Sequence, residues 1–231
     1  MILGSFAATV VVRIPRGEGL GGRSRCDGCG ATIRAIDLVP LGSWLVRRGR
    51  CAICGAAIDP LHPIVEGLCA ALGALLFAVL PPLEAATGLV FGVTLVALAA
   101  LDVRHLWLPD LLTLPLLGAG LAVGLLALDP TPTERAIGAA VGWSAFAALA
   151  ALYRRIRGRD GLGGGDAKLL AAIGAWTGWA PLPFVVVGAS GAALIFVLVL
   201  VARGRAVTAT TRLPFGAFLA AAAVPVWLLL R

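Results

Sequence analysis

Residues 184–202 read FVVVGASGAALIFVLVLVA, a stretch of nineteen residues without a single charge. A helix of about 20 apolar residues is long enough to cross the hydrocarbon core of a bilayer. Similar stretches recur along the chain, which has 231 residues, of which 60% are hydrophobic and 13% are charged, and a mean hydropathy of +0.98. Soluble domains carry about 25% charged residues. The composition therefore excludes a soluble globular domain and predicts an all-α polytopic membrane protein.

Apolar runs separated by charged or turn-forming residues predict about eight transmembrane helices. The first run has twelve residues and would rise only about 18 Å as a helix, so we interpret residues 1–15 as a first membrane helix that is either truncated, with its true start upstream, or placed shallowly in the membrane. Residues 16–61 form a small polar insertion, and residues 62–231 return to the membrane. The predicted helices cover residues 1–12, 63–80, 86–101, 111–128, 136–153, 167–179, 184–202 and 215–230.

Basic residues are retained on the cytoplasmic side of a membrane, and here they are concentrated in alternate loops. Eight arginines lie in residues 13–62, four in residues 154–159 and three in residues 203–212, whereas Arg135 and Arg231 are the basic residues assigned to the other side. We therefore expect the N-terminus outside and residues 16–61 in the cytoplasm. This topology accounts for the net charge of +7, and no basic helix or aromatic-interleaved patch indicates nucleic-acid binding.

Two Cys-x-x-Cys pairs in the insertion predict a metal site. Four thiolates with this spacing converge tetrahedrally on one zinc ion, while a redox or iron role is the alternative and disulfides are not expected in a reducing cytoplasm. Four sulfur ligands leave no open position for water or substrate, so we expect a structural zinc that stabilises this small insertion. The predicted ligands are Cys26, Cys29, Cys51 and Cys54.

Two aspartates adjoin apolar runs at the predicted cytoplasmic face. Asp102 follows the third run, and Asp166 follows the glycine-rich stretch GLGGG at residues 161–165. A carboxylate beside a membrane segment is costly unless it serves a pathway or a reaction. Each aspartate also has a simpler interpretation, because Asp102 could pair with Arg104 or His105, and Asp166 could cap the sixth helix.

The basic-residue count places both aspartates at one face, although they are 64 positions apart. In a carboxylate pair that shares one proton, the ionised member activates water and the protonated member polarises a carbonyl. Helix dipoles favour negative charge at a helix N-terminus, so we hypothesise that Asp166 is the ionised member. The glycines let a backbone approach closely, as an extended peptide substrate requires, and Lys168 either steers a substrate carboxylate or extends to the lipid headgroups.

These motifs resemble those of the bacterial type IV prepilin peptidases, membrane aspartic peptidases with a Gly-x-Gly-Asp motif. The resemblance covers nearly the whole chain and implies that Asp102 and Asp166 are catalytic and that Gly163, Gly165 and Lys168 belong to the active-site loop. The matching segments are GSF at 4–6, RIP at 13–15, the four cysteines with PLGSW at 40–44, HPIVE at 62–66, LD at 101–102, LPD at 108–110, GGGD at 163–166 and LPFG at 213–216.

The resemblance implies an endopeptidase of the bacterial inner membrane that cleaves leader peptides from prepilin or pseudopilin helices at the cytoplasmic face. It also implies N-methylation of the new N-terminus with S-adenosylmethionine. The pilin or pseudopilin class stays open. The alternatives are a small transporter or channel, in which the aspartates relay protons or ions, and a noncatalytic assembly component. A transporter would show broken helices in two related halves, and we identify no internal repeat.

Overall fold

The computed structural model describes residues 2–158, 161, 163–208 and 211–230. Within these ranges the regular structure is helical, with two isolated β-bridges and no strand, which confirms the all-α prediction. Four residues used in the sequence analysis, Met1, Arg159, Leu162 and Arg231, lie outside the described residues.

Within the described residues a helix overlaps each of the eight predicted runs, and a short helix in the insertion is additional. The ends of several helices differ from the prediction because hydropathy marks only the apolar centre of a helix. The helices are α1 (Ile2–Arg13), α2 (Gly42–Val46), α3 (Leu61–Val79), α4 (Pro82–His105), α5 (Asp110–Val123), α6 (Pro132–Arg157), α7 (Gly164–Thr177), α8 (Leu182–Ala202) and α9 (Phe215–Leu229).

The start of α6 illustrates why the helix is longer than its apolar run. The Thr131 hydroxyl accepts a hydrogen bond from the Glu134 backbone N–H, and the Glu134 carboxylate accepts one from the Thr131 N–H at 2.9 Å. This reciprocal capping box satisfies two backbone donors of the first turn. At the other end, Gly158 closes the helix with a φ of +66°, a conformation that glycine adopts readily. A polar capping box at one end and a glycine at the other, rather than hydropathy, thus set the ends of α6.

Four helices in the described part of the chain, α3, α4, α6 and α8, are long and apolar enough to cross a membrane by length and composition. Helix α5 with its 3₁₀ extension to Leu126, and α9, are shorter apolar helices. Helix α7 has 14 residues and is buried along most of its length. Helix α7 is therefore surrounded by other helices along most of its length and does not form a lipid-facing surface.

The chain divides into two compact units, residues 1–100 and residues 101–231. In the first unit, α1 packs on α3, where a Cβ on Gly4 would lie 2.9 Å from the Cys69 Cβ. In the second unit, α7 packs against α5, α6, α8 and α9. A Cβ on Gly138 of α6 or Gly174 of α7 would overlap the backbone of the other helix. These glycines allow α6 and α7 to approach closely.

Arg135 is 2% exposed and joins three helices through its guanidinium group. The last carbonyls of a helix have no partner within the helix and carry the negative end of its dipole, so a buried cation there is well compensated. The count of basic residues treats Arg135 as a loop charge, whereas the structure buries it in the first turn of α6. Its acceptors are the backbone oxygens of Pro130 at 2.8 Å and of Gly120, Ala175 and Asp129 at 3.0 Å each.

Replacing Arg135 with methionine is expected to destabilise the folded chain by about 3 kcal/mol, because several buried carbonyls would lose their donor. The measurement is thermal unfolding of the detergent-solubilised chain. Arg157→Met, which removes an exposed arginine from the same helix, is the matched control and should change stability little. Equal stability of the two variants would show that the Arg135 hydrogen bonds do not hold these helices together.

Candidate active site and metal centre

Asp102 and Asp166 meet in the second unit. Asp102 lies in the last turn of α4 and is 5% exposed, and Asp166 is the third residue of α7 and is 8% exposed. A Cβ on Gly216 of α9 would lie 3.0 Å from Asp102 Oδ2 and 3.2 Å from Asp166 Oδ1. The two carboxylate oxygens are therefore within about 6 Å of each other, and both border a position that has no side chain. The structure thus brings together the two aspartates that the sequence singled out.

The first turn of α9 provides the polar contact of Asp102. The Ala217 backbone N–H donates a buried hydrogen bond of 2.9 Å to Asp102 Oδ2, and the Gly216 N–H faces the same carboxylate. The first N–H groups of a helix have no intrahelical acceptor, and Pro214 at the N-cap offers no side-chain cap. The carboxylate of Asp102 therefore caps α9 and lies at the positive end of its dipole.

This contact revises the hypothesis that Asp166 carries the negative charge of the pair. Asp102 is near the C-terminus of its own helix, as expected, but two amides and the dipole of a different helix stabilise its anion. Asp166 has only the Gly163 amide among the backbone donors to its carboxylate in the described residues. The arrangement favours an ionised Asp102 and a protonated Asp166.

Asp166 is not the cap of α7. Gly163 occupies the N-cap position, and the Asp166 N–H donates to the Gly163 carbonyl at 3.1 Å. The simpler interpretation of Asp166 as an N-cap is therefore wrong. The side chain instead points toward the Gly216 position, where it faces Asp102.

Leu108 packs between the two helix starts that carry the site. Its side chain would lie 3.0 Å from a Cβ on Gly165 and 2.7 Å from a Cβ on Gly216. Gly165 thus has a packing role in addition to the substrate approach predicted for it, while a Cβ on Gly164 would meet nothing within 4 Å. Leu108, Gly216 and Ala217 were not predicted as parts of the site; the LPD and LPFG segments that contain or adjoin them signal only the family resemblance.

Lys168 binds Asp110 across two helices. Its Nζ donates to both carboxylate oxygens, at 2.7 and 2.8 Å. Asp110 is the first residue of α5, and Lys168 lies in the second turn of α7. The ion pair therefore joins the starts of α5 and α7 close to Asp166.

The four cysteines of the insertion form one cluster. Their sulfur atoms all lie within 4.8 Å of one another, and the Sγ atoms of Cys26 and Cys54 are 3.7 Å apart. Zinc bound tetrahedrally at the usual zinc–sulfur length separates its sulfur ligands by about 3.8 Å. The backbone N–H groups of Gly28 and Ile53 each donate to a cysteine sulfur at 3.4 Å. The cluster is compatible with zinc binding.

The two Cys-x-x-Cys segments of the insertion are copies of one motif. The expectation of no internal repeat is therefore wrong for this part of the chain. Residues 25–33 and 50–58 share the pattern R-C-x-x-C-G-A-x-I. In each copy the N–H of the first cysteine donates to the alanine carbonyl five residues later, at 2.9 and 2.8 Å. The repeat is short enough to escape a search for related halves. Its glycines at 30 and 55 have φ of +69° and +72°, and the matching bridges are Arg25 with Thr32 and Arg50 with Ala57.

Comparison with known proteins gives two family matches. The family described as "Bacterial Peptidase A24 N-terminal domain" matches residues 1–80, and the "Type IV leader peptidase family" matches residues 89–199. No solved structure matches.

Similar proteins share the name "Prepilin leader peptidase/N-methyltransferase". The one from Burkholderia pseudomallei is 41% identical over 201 residues, which cover 86% of this chain and 64% of that protein. The one from Dichelobacter nodosus is 40% identical over 86% of this chain and 68% of its own length. The one from Klebsiella pneumoniae is 37% identical over 84% of this chain and 88% of its own length. The chain thus spans slightly less than two thirds of the Burkholderia protein.

Proposed function

Because the chain belongs to the type IV leader peptidase family, we propose that it is an aspartic endopeptidase that removes leader peptides from prepilins or pseudopilins in the bacterial inner membrane. The observation that carries the proposal is the pair of buried carboxylates, Asp102 and Asp166, which come together beside Gly216. The names of the relatives support the substrate class.

The two aspartates have different roles in the reaction because different backbone donors surround their carboxylates. Two carboxylates this close in a buried site do not both ionise readily. Asp102, which accepts the Ala217 amide, takes a proton from a water molecule whose oxygen attacks the scissile carbonyl. Asp166, protonated, donates a hydrogen bond to the carbonyl oxygen. Collapse of the tetrahedral intermediate breaks the C–N bond as Asp102 passes the proton that it took from water to the leaving amine, which returns both carboxyl groups to their starting states.

The position of Asp102 suits a substrate that is itself a membrane helix. Asp102 lies in the last turn of α4, which is long and apolar enough to span the bilayer. The distribution of basic residues among the loops supports a cytoplasmic position for this end of α4. A polar leader outside the bilayer and an apolar substrate helix within it would bring their junction to this level. The open space beside Gly164 is the side from which an extended backbone approaches.

Two further parts of the proposal concern cofactors. We propose that the cysteine cluster binds one structural zinc ion, since its geometry and its four-sulfur composition fit tetrahedral coordination without an open site. The names of the relatives support a second activity, methylation of the new N-terminus with S-adenosylmethionine.

The peptidase proposal predicts that Asp102→Asn and Asp166→Asn each lower leader cleavage by at least about 10²-fold, because neither variant can share a proton across the pair. The measurement is cleavage of a prepilin-like substrate by the full chain in proteoliposomes. Glu18→Gln, which neutralises an exposed carboxylate in the insertion, is the control and should cut normally.

Normal cleavage by both aspartate variants would remove the peptidase proposal and favour a transporter. The same reactions with isotopically labelled S-adenosylmethionine test the second activity. Wild type is expected to label the cleaved product at its N-terminus. Cleaved product without label would remove the methyltransferase proposal and leave the peptidase intact.

The site geometry predicts that Gly216→Ala slows cleavage by about 10- to 100-fold, because the new Cβ would push the two carboxylates and Leu108 out of position. Gly191→Ala on α8 is the matched control, since a Cβ there meets nothing within 4 Å. Both rates are measured with equal amounts of inserted protein. Equal rates for the two variants would show that the carboxylates do not work at the distance seen here.

The metal proposal predicts one zinc ion per chain in wild type, measured by elemental analysis of the purified protein. Cys54→Ser is expected to lose most of it, because three thiolates bind zinc less tightly than four. Cys69→Ala, which removes the buried cysteine outside the cluster, should retain full zinc. Loss of zinc in both variants, or in neither, would contradict the assignment of the ligands.

A further inference from the structure

The insertion has exposed apolar side chains in a segment that lies outside the long apolar helices. Residues 35–46 contain a 3₁₀ turn, Ala35–Leu38, followed by α2; we call them the apolar segment. Apolar groups gathered on a surface outside a core mark an interaction site. The most exposed are Val46 (85%), Ile36 (71%), Leu45 (67%) and Val39 (51%).

An ion-pair cluster holds this segment in a fixed shape. The Asp37 carboxylate accepts hydrogen bonds from Arg47 Nε at 2.6 Å and from Arg34 Nε at 3.1 Å. These contacts, the Arg47 hydrogen bond first, keep the pKa of Asp37 below its usual value. Asp37 therefore stays ionised near neutral pH and joins the residue just before the apolar segment to the residue just after it.

A second contact holds the apolar segment beside a particular turn of α3. The Leu41 N–H donates to Glu66 Oε2 at 2.9 Å, and Glu66 is buried on α3, a helix long enough to span the bilayer. Glu66 lies five residues after the start of α3, about 7.5 Å along the helix axis. The side chains of Ile64 and Leu68, on the same turns of α3, are more than half exposed. The segment is thus held beside the part of α3 where outward-facing apolar side chains begin.

The charges around the segment indicate what covers it. Four arginines, at positions 34, 47, 48 and 50, accompany a single acidic residue, Asp37, in residues 34–50. Those at 34, 48 and 50 are exposed. Exposed apolar side chains flanked by basic ones are typical of segments that lie in the headgroup region of anionic membranes. The same arginines disfavour a basic peptide as the occupant.

We propose that the apolar segment lies in the membrane interface, with Leu45 and Val46 inserted at the boundary of the acyl chains and Arg34 and Arg48 on the headgroups of anionic phospholipids. The lipid surface, rather than another protein, is the partner of this face of the insertion. The proposal does not depend on the peptidase activity.

The test places a small fluorescent amino acid at position 46 of the full chain, reconstituted in vesicles of phosphatidylglycerol and phosphatidylethanolamine. Val46 is exposed enough to accept the substitution without loss of packing. Quenching by lipids that carry a nitroxide near the headgroup is compared with quenching by aqueous iodide. The same label at Ile64 of α3 provides the reference for a lipid-facing position.

We expect the label at position 46 to be quenched at least about twofold more by the lipid nitroxide than by iodide, as at position 64. Arg34→Gln with Arg48→Gln should reduce the lipid quenching in these vesicles but not in vesicles of phosphatidylcholine alone, because only the anionic headgroups attract arginine. Strong iodide quenching without lipid quenching would overturn the proposal. Protection from both quenchers would assign the surface to a protein partner and overturn it as well.

Discussion

The hydrogen bond from the Ala217 N–H to Asp102 Oδ2 is the contact around which the second unit is organised. A carboxylate buried in an apolar chain is costly unless donors replace its hydration. Among the described residues, the free amides of the first turn of α9 supply these donors. That requirement brings the start of α9 to the end of α4, which leaves space only for a glycine at position 216 between Asp102 and Asp166. The chemistry of the pair and the packing of three helices therefore depend on the same short contact.

At the C-terminal end of α7, backbone carbonyls compensate a buried cation, just as the backbone amides at the start of α9 compensate a buried anion. At its start, α7 carries Asp166; near its end, its Ala175 carbonyl accepts a hydrogen bond from Arg135. Helix ends are the places where backbone donors and acceptors lack partners, and in an apolar surrounding those groups are the strongest sites for compensating a buried charge. Helix α7 is about 21 Å long, and a polar contact fixes each end. The position of Asp166 thus depends partly on Arg135, a residue far from the chemistry.

Much of this arrangement was predictable, and the misses share one cause. The eight helices followed from hydropathy, and the meeting of Asp102 with Asp166 followed from the distribution of arginines. The ionised member of the pair was assigned from the helix that each aspartate belongs to, whereas the deciding amide comes from a residue 115 positions away. Arg135 was counted as a loop charge because a count of basic residues contains no information on burial. Local rules worked for local features, and the long-range contacts needed the fold.

The insertion shows a different solution to the problem of ordering a short polar segment. Apart from Leu61, the first residue of α3, residues 16–61 have no buried hydrophobic core residue among those described, so the hydrophobic effect within the segment contributes little to its order. Instead, order comes from points of attachment: four thiolates at one end, an Asp37–Arg47 ion pair in the middle and the Leu41 hydrogen bond to Glu66 on α3. A soluble domain would bury apolar side chains such as those of the apolar segment. Here they are exposed, in a segment that is held beside α3. A membrane surface gives those side chains the apolar contact that the insertion itself is too small to provide.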